Sequence, residues 1–271
     1  MTTKIQEIIK NGNKDYNSLE FFNFVDNKNM DSWQNDKRLD DIVRLSRFRD
    51  TEWLMSDLNT EYITSKITFN KVAEMTKYKK GYIVEVCSGP TGGFGPGYLI
   101  SNPNAKVIIS DISPYLMNLW FLMLKETQYK NATAMSFNIC NMPFKDNTID
   151  IVSSRYGLIN IENNTGNYKE ALKECYRVLN KDGLLIINEL KLTDEYVNKL
   201  TDDQIIVLKQ RYSNIFVDLH NDLNELGFSI EFYQNVSKWN NASDDSSLAT
   251  LCRNWNISLD FYDYLIICKK G

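Results

Sequence analysis

From residue 82 onward, short apolar runs alternate with longer stretches in which apolar residues recur every three or four positions. The short runs are typical of buried strands, and the longer stretches are typical of amphipathic helices. Strands are predicted at 82–86, 107–111, 132–137, 149–154, 184–189, 229–234 and 261–268. This alternation predicts an α/β fold with a mostly parallel, doubly wound sheet that carries helices on both faces.

The first 78 residues show a different pattern, with no clear strand. Apolar residues recur at helical spacing between 39 and 75, which predicts helices packed before and partly over the sheet. We therefore divide the chain into an N-terminal helical lid or substrate region at 1–78 and a core at 79–271 with a helical insertion at 193–212. The apolar stripes of the first region suit either a lid over the ligand site or a homodimer surface.

Particular residues mark where several helices are predicted to begin. Pro96 and Pro114 are each expected in the first turn of a helix. Thr201 and Gln204 have the spacing of a capping box, which predicts a helix start at this point. The segment 237–258 is polar and is predicted to be a loop with a short helix.

A glycine-rich loop follows the first strand of the core, and the next strand ends in a single acid. The strand and loop occupy 83–97, and the second apolar run ends at Asp111. Glycines let the backbone turn tightly and approach a ligand without Cβ clashes. A carboxylate at the end of the next strand can accept hydrogen bonds from both ribose hydroxyls. The pair therefore predicts a nucleoside site at the carboxyl edge of the sheet.

Four segments, in this order, resemble the motifs of the class I S-adenosylmethionine-dependent methyltransferases. They are 85–93 (acid-x-Gly-x-Gly in that family), 138–144 (D-A-x-x-L-P-F), 150–152 (D-x-V) and 177–183 (R-x-L-K-P-G-G). The resemblance covers residues 80–190 by motif and the C-terminal part by topology. It implies a Rossmann-like fold with a seven-stranded sheet, a C-terminal antiparallel hairpin at one edge, and S-adenosylmethionine as the cofactor.

Three positions depart from the family pattern. Cys87 stands where the first glycine of the loop is usual. The segment Pro90-Thr91 makes the loop one residue longer before Gly92. Asn138 replaces the usual aspartate beside adenine. Its amide oxygen can still accept a hydrogen bond from the adenine amino group, so the role survives the change.

The resemblance assigns a role to each strand end. The loop backbone holds the amino acid part of the cofactor, Asp111 holds the ribose, and the segment that begins at Asn138 holds adenine. The cofactor-binding residues that it implies are Glu85, Cys87, Gly89, Gly92, Gly93, Asp111, Ile112, Asn138, Ile139, Ser154 and Arg155.

Two residues at the remaining strand ends are the candidate catalytic groups. Tyr156 follows the fourth strand, where the family places residues near the transferred methyl, and Glu189 ends the fifth. Tyr156 could instead support the loop, and Glu189 could be a solvated strand-end acid. A base is needed only if the acceptor must lose a proton before it is methylated.

Composition and charge limit the kinds of partner that the protein is expected to bind. Lys+Arg number 31 and Asp+Glu 35, and the net charge of −4 argues against a large phosphate-backbone footprint and hence against nucleic acid. The five cysteines lack Cys-x-x-Cys spacing, so no metal is expected. No run of about 18 apolar residues is present, and the N-terminus lacks the apolar core of a signal peptide. We therefore expect a cytoplasmic protein with no membrane segment.

The predicted function is methyl transfer to a small-molecule or peptide acceptor, natural-product-like, by in-line displacement. Three alternatives stay open. An RNA methyltransferase is one, because 87–90 is similar to the loop of ribose 2′-O enzymes, although no matching Lys-Asp-Lys-Glu set is present. A non-catalytic cofactor- or partner-binding module of the same fold is the second. A nicotinamide-dependent dehydrogenase would need Gly-x-Gly-x-x-Gly at the first strand end, which this chain lacks.

Overall fold

The computed structural model describes residues 7–10, 22–25, 63–89, 92–102, 104–126, 129, 131–161, 166–240 and 247–271. Within these ranges, no helix combines the length and the apolar character needed to cross a membrane. The arginines at 44, 47 and 49, which could bind an acidic group of the acceptor, and the tryptophans at 33 and 53, which could form part of the predicted lid, lie outside the described residues.

One mixed sheet organises the described part of the chain. Its strands are β1 (Phe22–Asn23), β2 (Tyr82–Glu85), β3 (Lys106–Asp111), β4 (Ala132–Ser136), β5 (Ile149–Arg155), β6 (Leu179–Leu192), β7 (Phe228–Asn240) and β8 (Asp260–Lys270). Their order is β1-β4-β3-β2-β5-β6-β8-β7. The strands β1 to β6 pair in parallel, whereas β8 is antiparallel to both β6 and β7. The predicted seven strands and the antiparallel C-terminal pair are therefore confirmed.

The two-residue β1 corrects the expectation that residues 1–78 contain no strand. It pairs through the backbone with Met135 and Ser136 of β4. A strand of two residues is too short to show an alternation of apolar and polar positions, so the sequence pattern could not reveal this strand.

Helices cover both faces of the sheet. They are α1 (Ile63–Thr76), α2 (Gly95–Ser101), α3 (Pro114–Glu126), α4 (Tyr168–Val178), α5 (Asp194–Val197), α6 (Asp202–Arg211), α7 (Leu219–Glu225) and α8 (Ser247–Asn254). Proline stands in the first turn of α2 and at the start of α3, as predicted. Thr201 and Gln204 form both hydrogen bonds of the predicted capping box at α6.

Helix α1 packs into the layer that covers one face of the sheet. The Phe69 ring meets the Phe94 ring edge to face, with centroids 5.3 Å apart, and Val72 is buried. The Asn102 side chain donates hydrogen bonds to the carbonyls of Thr76 and Lys79, at 2.8 and 2.7 Å. The end of the N-terminal region is thus tied to the core, while the division at residue 78 and the lid stay predictions.

Strand β7 runs six residues beyond its predicted end at residue 234. Register shifts lie between Ile230 and Phe232 and between Asn235 and Ser237. Each shift turns the side chains that follow to the other face, so the simple alternation that marks a strand is lost. Helix α8 is the short helix expected within the polar connection.

The order of the strands reverses direction at β2. From this strand the chain continues to β3 and β4 on one side, and to β5 and β6 on the other. Ligands of open parallel sheets lie in the crevice at the carboxyl ends of the strands beside such a switch point. The carboxyl ends of β2, β3, β4 and β5 are therefore the first place to look for a site.

Candidate active site

Glu85 ends β2 and is fully buried beneath the glycine-rich loop. Its Oε1 accepts a hydrogen bond from the Phe94 amide at 3.0 Å, and its Oε2 accepts one from the Ser153 hydroxyl. Burial raises the pKa of Glu85 to about 8, and these two hydrogen bonds offset the effect only in part. Through these two hydrogen bonds the carboxyl ties the loop backbone to the sheet.

The loop depends on left-handed backbone at four described positions. Cys87, Gly89, Gly92 and Gly93 have φ of 52°, 56°, 76° and 53°. A Cβ atom at Gly93 would lie 1.8 Å from Glu85 Oε1, so only glycine fits between the loop and this carboxyl. Pro90 and Thr91, which carry the extra residue of the loop, lie outside the described residues.

Trp120 of α3 supports the loop from the other side. Its Nε1 donates a hydrogen bond to the Gly89 carbonyl at 3.2 Å, and a Cβ atom at Gly92 would lie 2.7 Å from its ring. Trp120 was not among the residues predicted from the sequence. The signal was available, since Trp120 lies four residues after the buried Leu116 and four before the buried Leu124, on one helix face.

Asp111 ends β3 and is fixed by two backbone amides. Its Oδ2 accepts a hydrogen bond from the Gly89 amide at 3.0 Å, and its Oδ1 accepts one from the Ser113 amide at 3.1 Å. The carboxylate is thus joined to the loop as well as to its own turn. Each carboxylate oxygen has more than one acceptor position, so both could still accept from a ribose.

Asn138 and Ile139 follow β4, and Ile112 follows β3. The Asn138 Oδ1 accepts a hydrogen bond from the Cys140 amide at 2.9 Å, which orients the side chain at the start of the 3₁₀ helix Ile139–Asn141. The Ile112 carbonyl accepts a hydrogen bond from the Ser136 hydroxyl at 3.1 Å. These residues share the carboxyl edge with Asp111, and their contacts with adenine stay predictions.

Cys87 begins the loop beside the turn that follows β5. A Cβ atom at Gly157 would lie 2.4 Å from the Cys87 Cβ and 3.0 Å from the Cys87 carbonyl oxygen, so the two segments touch. Burial, together with the charge of Asp111, raises the pKa of the Cys87 thiol well above its usual value. The thiol is therefore protonated at neutral pH, which argues against a nucleophilic role.

Two buried hydroxyls at this edge have no hydrogen-bond partner within the described part of the chain. They are Ser88 Oγ and Ser154 Oγ. At Gly89 an added Cβ atom would meet nothing within 4 Å, so open space adjoins the loop. Buried polar atoms that lack protein partners require an explanation, and a polar ligand supplies one. An S-adenosylmethionine amino acid group beside the loop and a ribose on Asp111 fit this arrangement.

Arg155 ends β5 and Tyr156 begins the turn after it. The guanidinium carbon of Arg155 lies 4.9 Å from the centre of the Tyr156 ring and 5.5 Å from that of Phe69. Tyr156 has a φ of 55°, and its amide donates a hydrogen bond to the Asn188 carbonyl at 2.8 Å. A left-handed tyrosine is uncommon, and such conformations cluster at functional sites.

Glu189 ends the part of β6 that was predicted, and it is only 1% exposed. The alternative of a solvated strand-end acid is therefore wrong. Its Oε1 accepts hydrogen bonds from the amides of Leu158 at 2.8 Å and Ile159 at 3.4 Å, which begin the 3₁₀ helix Leu158–Asn160. Burial raises the pKa of Glu189 to about 8. The carboxyl holds the turn after β5, and a catalytic role for it stays a prediction.

Asp263 of β8 is a further buried acid at this edge, and it was not among the residues predicted from the sequence. It is 3% exposed. The Asn188 side chain donates a hydrogen bond to its Oδ1, and the Ser237 hydroxyl donates one to its Oδ2 at 3.3 Å. The signal was a lone carboxylate within the otherwise largely apolar run 261–268.

The structure thus brings the predicted cofactor residues to the carboxyl edge of β2, β3, β4 and β5. Within the described ranges, no group of three or more histidine, cysteine, aspartate or glutamate side chains could hold a metal ion. The one histidine in the sequence, His220, is exposed at the start of α7.

Comparison with known proteins identifies the domain. Residues 86–187 match the family model described as a methyltransferase domain. The chain carries a class I S-adenosylmethionine-dependent methyltransferase domain. The match begins directly after Glu85 and ends within β6, so it includes the glycine-rich loop and the strand ends at Asp111, Asn138 and Arg155.

The methyltransferase domain is similar in sequence to bacterial demethylmenaquinone methyltransferases. The chain is 33% identical over 87 residues to the enzyme of Geobacillus sp. strain WCH70, and this match covers 32% of the chain and 36% of the relative. The chain is 27% identical over 155 residues to the enzyme of Chlamydia trachomatis serovar L2, and this match covers 56% of the chain and 60% of the relative. The matches therefore span about a third to three fifths of the relatives' length.

Solved structures share the fold at low sequence identity. Geranyl diphosphate C-methyltransferase from Streptomyces coelicolor A3(2) has a TM-score of 0.52 and 12% identity, with 74% of this chain and 76% of that chain covered. The YcgJ protein of Bacillus subtilis has a TM-score of 0.53 and 15% identity, with 76% and 98% covered. At these identities the methyltransferase domain and its neighbours share the architecture alone.

Proposed function

We propose that this chain transfers a methyl group from S-adenosylmethionine to a small-molecule acceptor. The observation that carries the proposal is the arrangement at the switch point. Three features lie on adjoining segments of one edge: the open space at Gly89, the Asp111 carboxylate, and the hydroxyls of Ser88 and Ser154, which have no hydrogen-bond partner among the described residues.

Bound S-adenosylmethionine would supply an activated methyl group on a positively charged sulfur. The protein then has to hold the acceptor in line with that methyl group and exclude water. In the proposal, Asp111 and the loop between Cys87 and Gly93 hold the donor. The turn that begins at Tyr156 packs against Cys87 through Gly157, and in the proposal this turn faces the acceptor.

Two comparisons support a small-molecule acceptor. The curated relatives are named for demethylmenaquinone, and one structural neighbour is named for geranyl diphosphate. A peptide acceptor fits the same scaffold, and an RNA acceptor stays the alternative prediction. The cytoplasmic location and the homodimer also stay predictions.

The test is transfer of a labelled methyl group. The protein is incubated with S-adenosylmethionine carrying a deuterated methyl group and with separate sets of hydroxylated rings, aromatic amines, isoprenyl diphosphates, short peptides and RNA. Mass spectrometry then follows the labelled product, and we expect label in a small molecule.

Two results would contradict the proposal. Label found only in RNA would favour the alternative acceptor. Binding of S-adenosylhomocysteine without transfer to any set would indicate a non-catalytic module of the same fold.

A further inference from the structure

Residues 138–144, the segment predicted to lie beside adenine and called the adenine segment below, are held on one side by two side chains of α4. Glu174 Oε2 accepts a hydrogen bond from the Met142 amide at 2.8 Å. Arg177 donates hydrogen bonds to the carbonyls of Met142 at 3.2 Å and Phe144 at 2.8 Å. Because Glu174 and Arg177 are themselves paired at 2.6 Å, α4 fixes the backbone of alternate residues.

The other side of the adenine segment pairs with residues 7–10. The Pro143 carbonyl accepts a hydrogen bond from the Lys10 amide at 2.8 Å, and the Lys145 amide donates one to the Ile8 carbonyl at 2.7 Å. In an extended backbone, the amide and carbonyl of one residue point to one side and those of the next residue to the other. This alternation explains why one set of residues bonds to α4 and the other set to residues 7–10.

Apolar side chains reinforce this pairing. Ile8 and Ile9 are buried, at 7% and 4% exposure. They lie in the same core cluster as the apolar side chains of the adenine segment and the residue before it, which are Phe137, Ile139, Met142 and Phe144. Residues 7–10 therefore support the adenine segment through the backbone and through the core.

Residues 22–25 hold the end of the strand that leads into the adenine segment. The Phe24 amide donates a hydrogen bond to the Ser136 carbonyl of β4 at 2.7 Å, and the Phe24 side chain packs against the same core cluster. The next residue of β4, Phe137, donates from its amide to the Asp111 carbonyl at 3.2 Å. The carboxyl ends of β1, β4 and β3 are thus joined in one row.

We propose that residues 7–10 and 22–25 position the adenine segment, and that Ile9 and Phe24 thereby determine how well the protein distinguishes adenine from other bases. The inference rests on the proposed binding of S-adenosylmethionine and adds how its base is selected. Ile9 and Phe24 are positioning residues, since they act on the ligand through the adenine segment and the end of β4.

The physical reason lies in the geometry of hydrogen bonds. Asn138 is predicted to accept a hydrogen bond from the adenine amino group, and such a bond weakens steeply when donor and acceptor are misaligned. A small displacement of the adenine segment therefore weakens contact with the base. The amino acid and ribose parts are proposed to be held by the loop after β2 and by Asp111, on the two strands at the switch point. Their contacts should be less affected.

The test is calorimetric titration with two ligands that differ only in the base. They are S-adenosylhomocysteine and S-inosylhomocysteine, in which a carbonyl oxygen stands where adenine has its amino group. The variants are Phe24→Ala and Ile9→Ala. The matched control is Phe232→Ala, because Phe232 is also half-buried but lies on β7, the opposite edge strand, and packs against the other main core cluster.

We expect the wild type to bind S-adenosylhomocysteine about 10-fold or more tightly than S-inosylhomocysteine, because the analogue turns an oxygen toward an acceptor and leaves it without a donor. Phe24→Ala and Ile9→Ala should each weaken S-adenosylhomocysteine by about 5- to 10-fold and S-inosylhomocysteine by no more than about twofold, as expected for the loss of one hydrogen bond. Phe24→Leu and Ile9→Val should restore most of the preference, since they refill the core. The control should keep the full preference.

Three outcomes would overturn the inference. They are equal weakening of both ligands by Phe24→Ala and Ile9→Ala, a preference in these variants that matches the Phe232→Ala control, and a wild type without any preference. A wild type that binds neither ligand would contradict the proposed function itself. Binding of S-adenosylhomocysteine with an unchanged preference in both variants would contradict this inference alone.

Hydrogen exchange of the wild type decides the matter if an alanine variant does not fold. The amides of Lys10 and Phe24 are bonded to Pro143 and Ser136, so they report on the support of the adenine segment directly. S-adenosylhomocysteine should slow their exchange more than S-inosylhomocysteine does when both ligands are saturating. Equal protection by the two ligands would overturn the inference.

Discussion

Replacing Asp111 with alanine is expected to weaken the binding of S-adenosylhomocysteine by roughly 2–3 kcal/mol, or 30- to 150-fold in Kd. Two effects act together. The ribose would lose hydrogen bonds to a charged acceptor, and the Gly89 amide would lose the Oδ2 that holds it at 3.0 Å. Asp111 ends β3, so the fold should survive. Isothermal calorimetry on the purified variant measures the change.

Asp150→Ala is the matched control. Asp150 also holds a backbone amide of the central strand, that of Tyr82 at 2.8 Å, but at the amino end of β2. The control should therefore lose stability without losing affinity for the ligand. Equal Kd values for wild type and Asp111→Ala would show that the ribose is held elsewhere.

Gly93→Ala is expected to destabilise the fold and abolish cofactor binding. The left-handed φ of 53° costs an L-residue about 1–2 kcal/mol. The Cβ atom would also lie 1.8 Å from Glu85 Oε1, and such overpacking typically costs about 1–3 kcal/mol. Glu85 cannot move away freely, because Phe94 and Ser153 hold its two oxygens. Thermal and urea denaturation would measure the loss.

Gly89→Ala separates strain from overlap. Gly89 has nearly the same φ, 56°, yet its Cβ atom would meet nothing within 4 Å. This control should lose only the strain energy, and its methyl group would enter the space proposed for the ligand. We expect a nearly stable protein with weakened binding. A Gly93→Ala variant as stable as Gly89→Ala would mean that the loop is not held against Glu85.

Much of the fold follows from local pattern. The buried parallel strands are continuous apolar runs, and the loop, Asp111 and the segment at 138–144 lie at their ends in the order that the family pattern implies. Thr201 and Gln204 needed only their spacing to predict the capping box that the structure contains. Features set by neighbours in sequence were therefore predictable.

Features set by residues that are distant in the sequence were not predictable. One alternative for Glu189 was a solvated carboxylate, because an acid at a strand end usually faces water. In the structure its carboxyl instead accepts hydrogen bonds from the amides of Leu158 and Ile159, some thirty residues away in the sequence. Asp263 acquires its partners only when β6, β7 and β8 pair. The register shifts in β7 likewise depend on its partner strand. Long-range pairing decides these roles, and periodicity does not encode it.

The most direct test of the account is calorimetric titration of the wild-type chain with S-adenosylhomocysteine and, separately, with NAD. The central claim is that the edge formed by the loop, Asp111 and Asn138 holds the S-adenosyl cofactor. We predict binding of S-adenosylhomocysteine in the low micromolar range or weaker, with a matching rise in thermal stability by mass action, and no binding of NAD. Binding of NAD together with no binding of S-adenosylhomocysteine would contradict it.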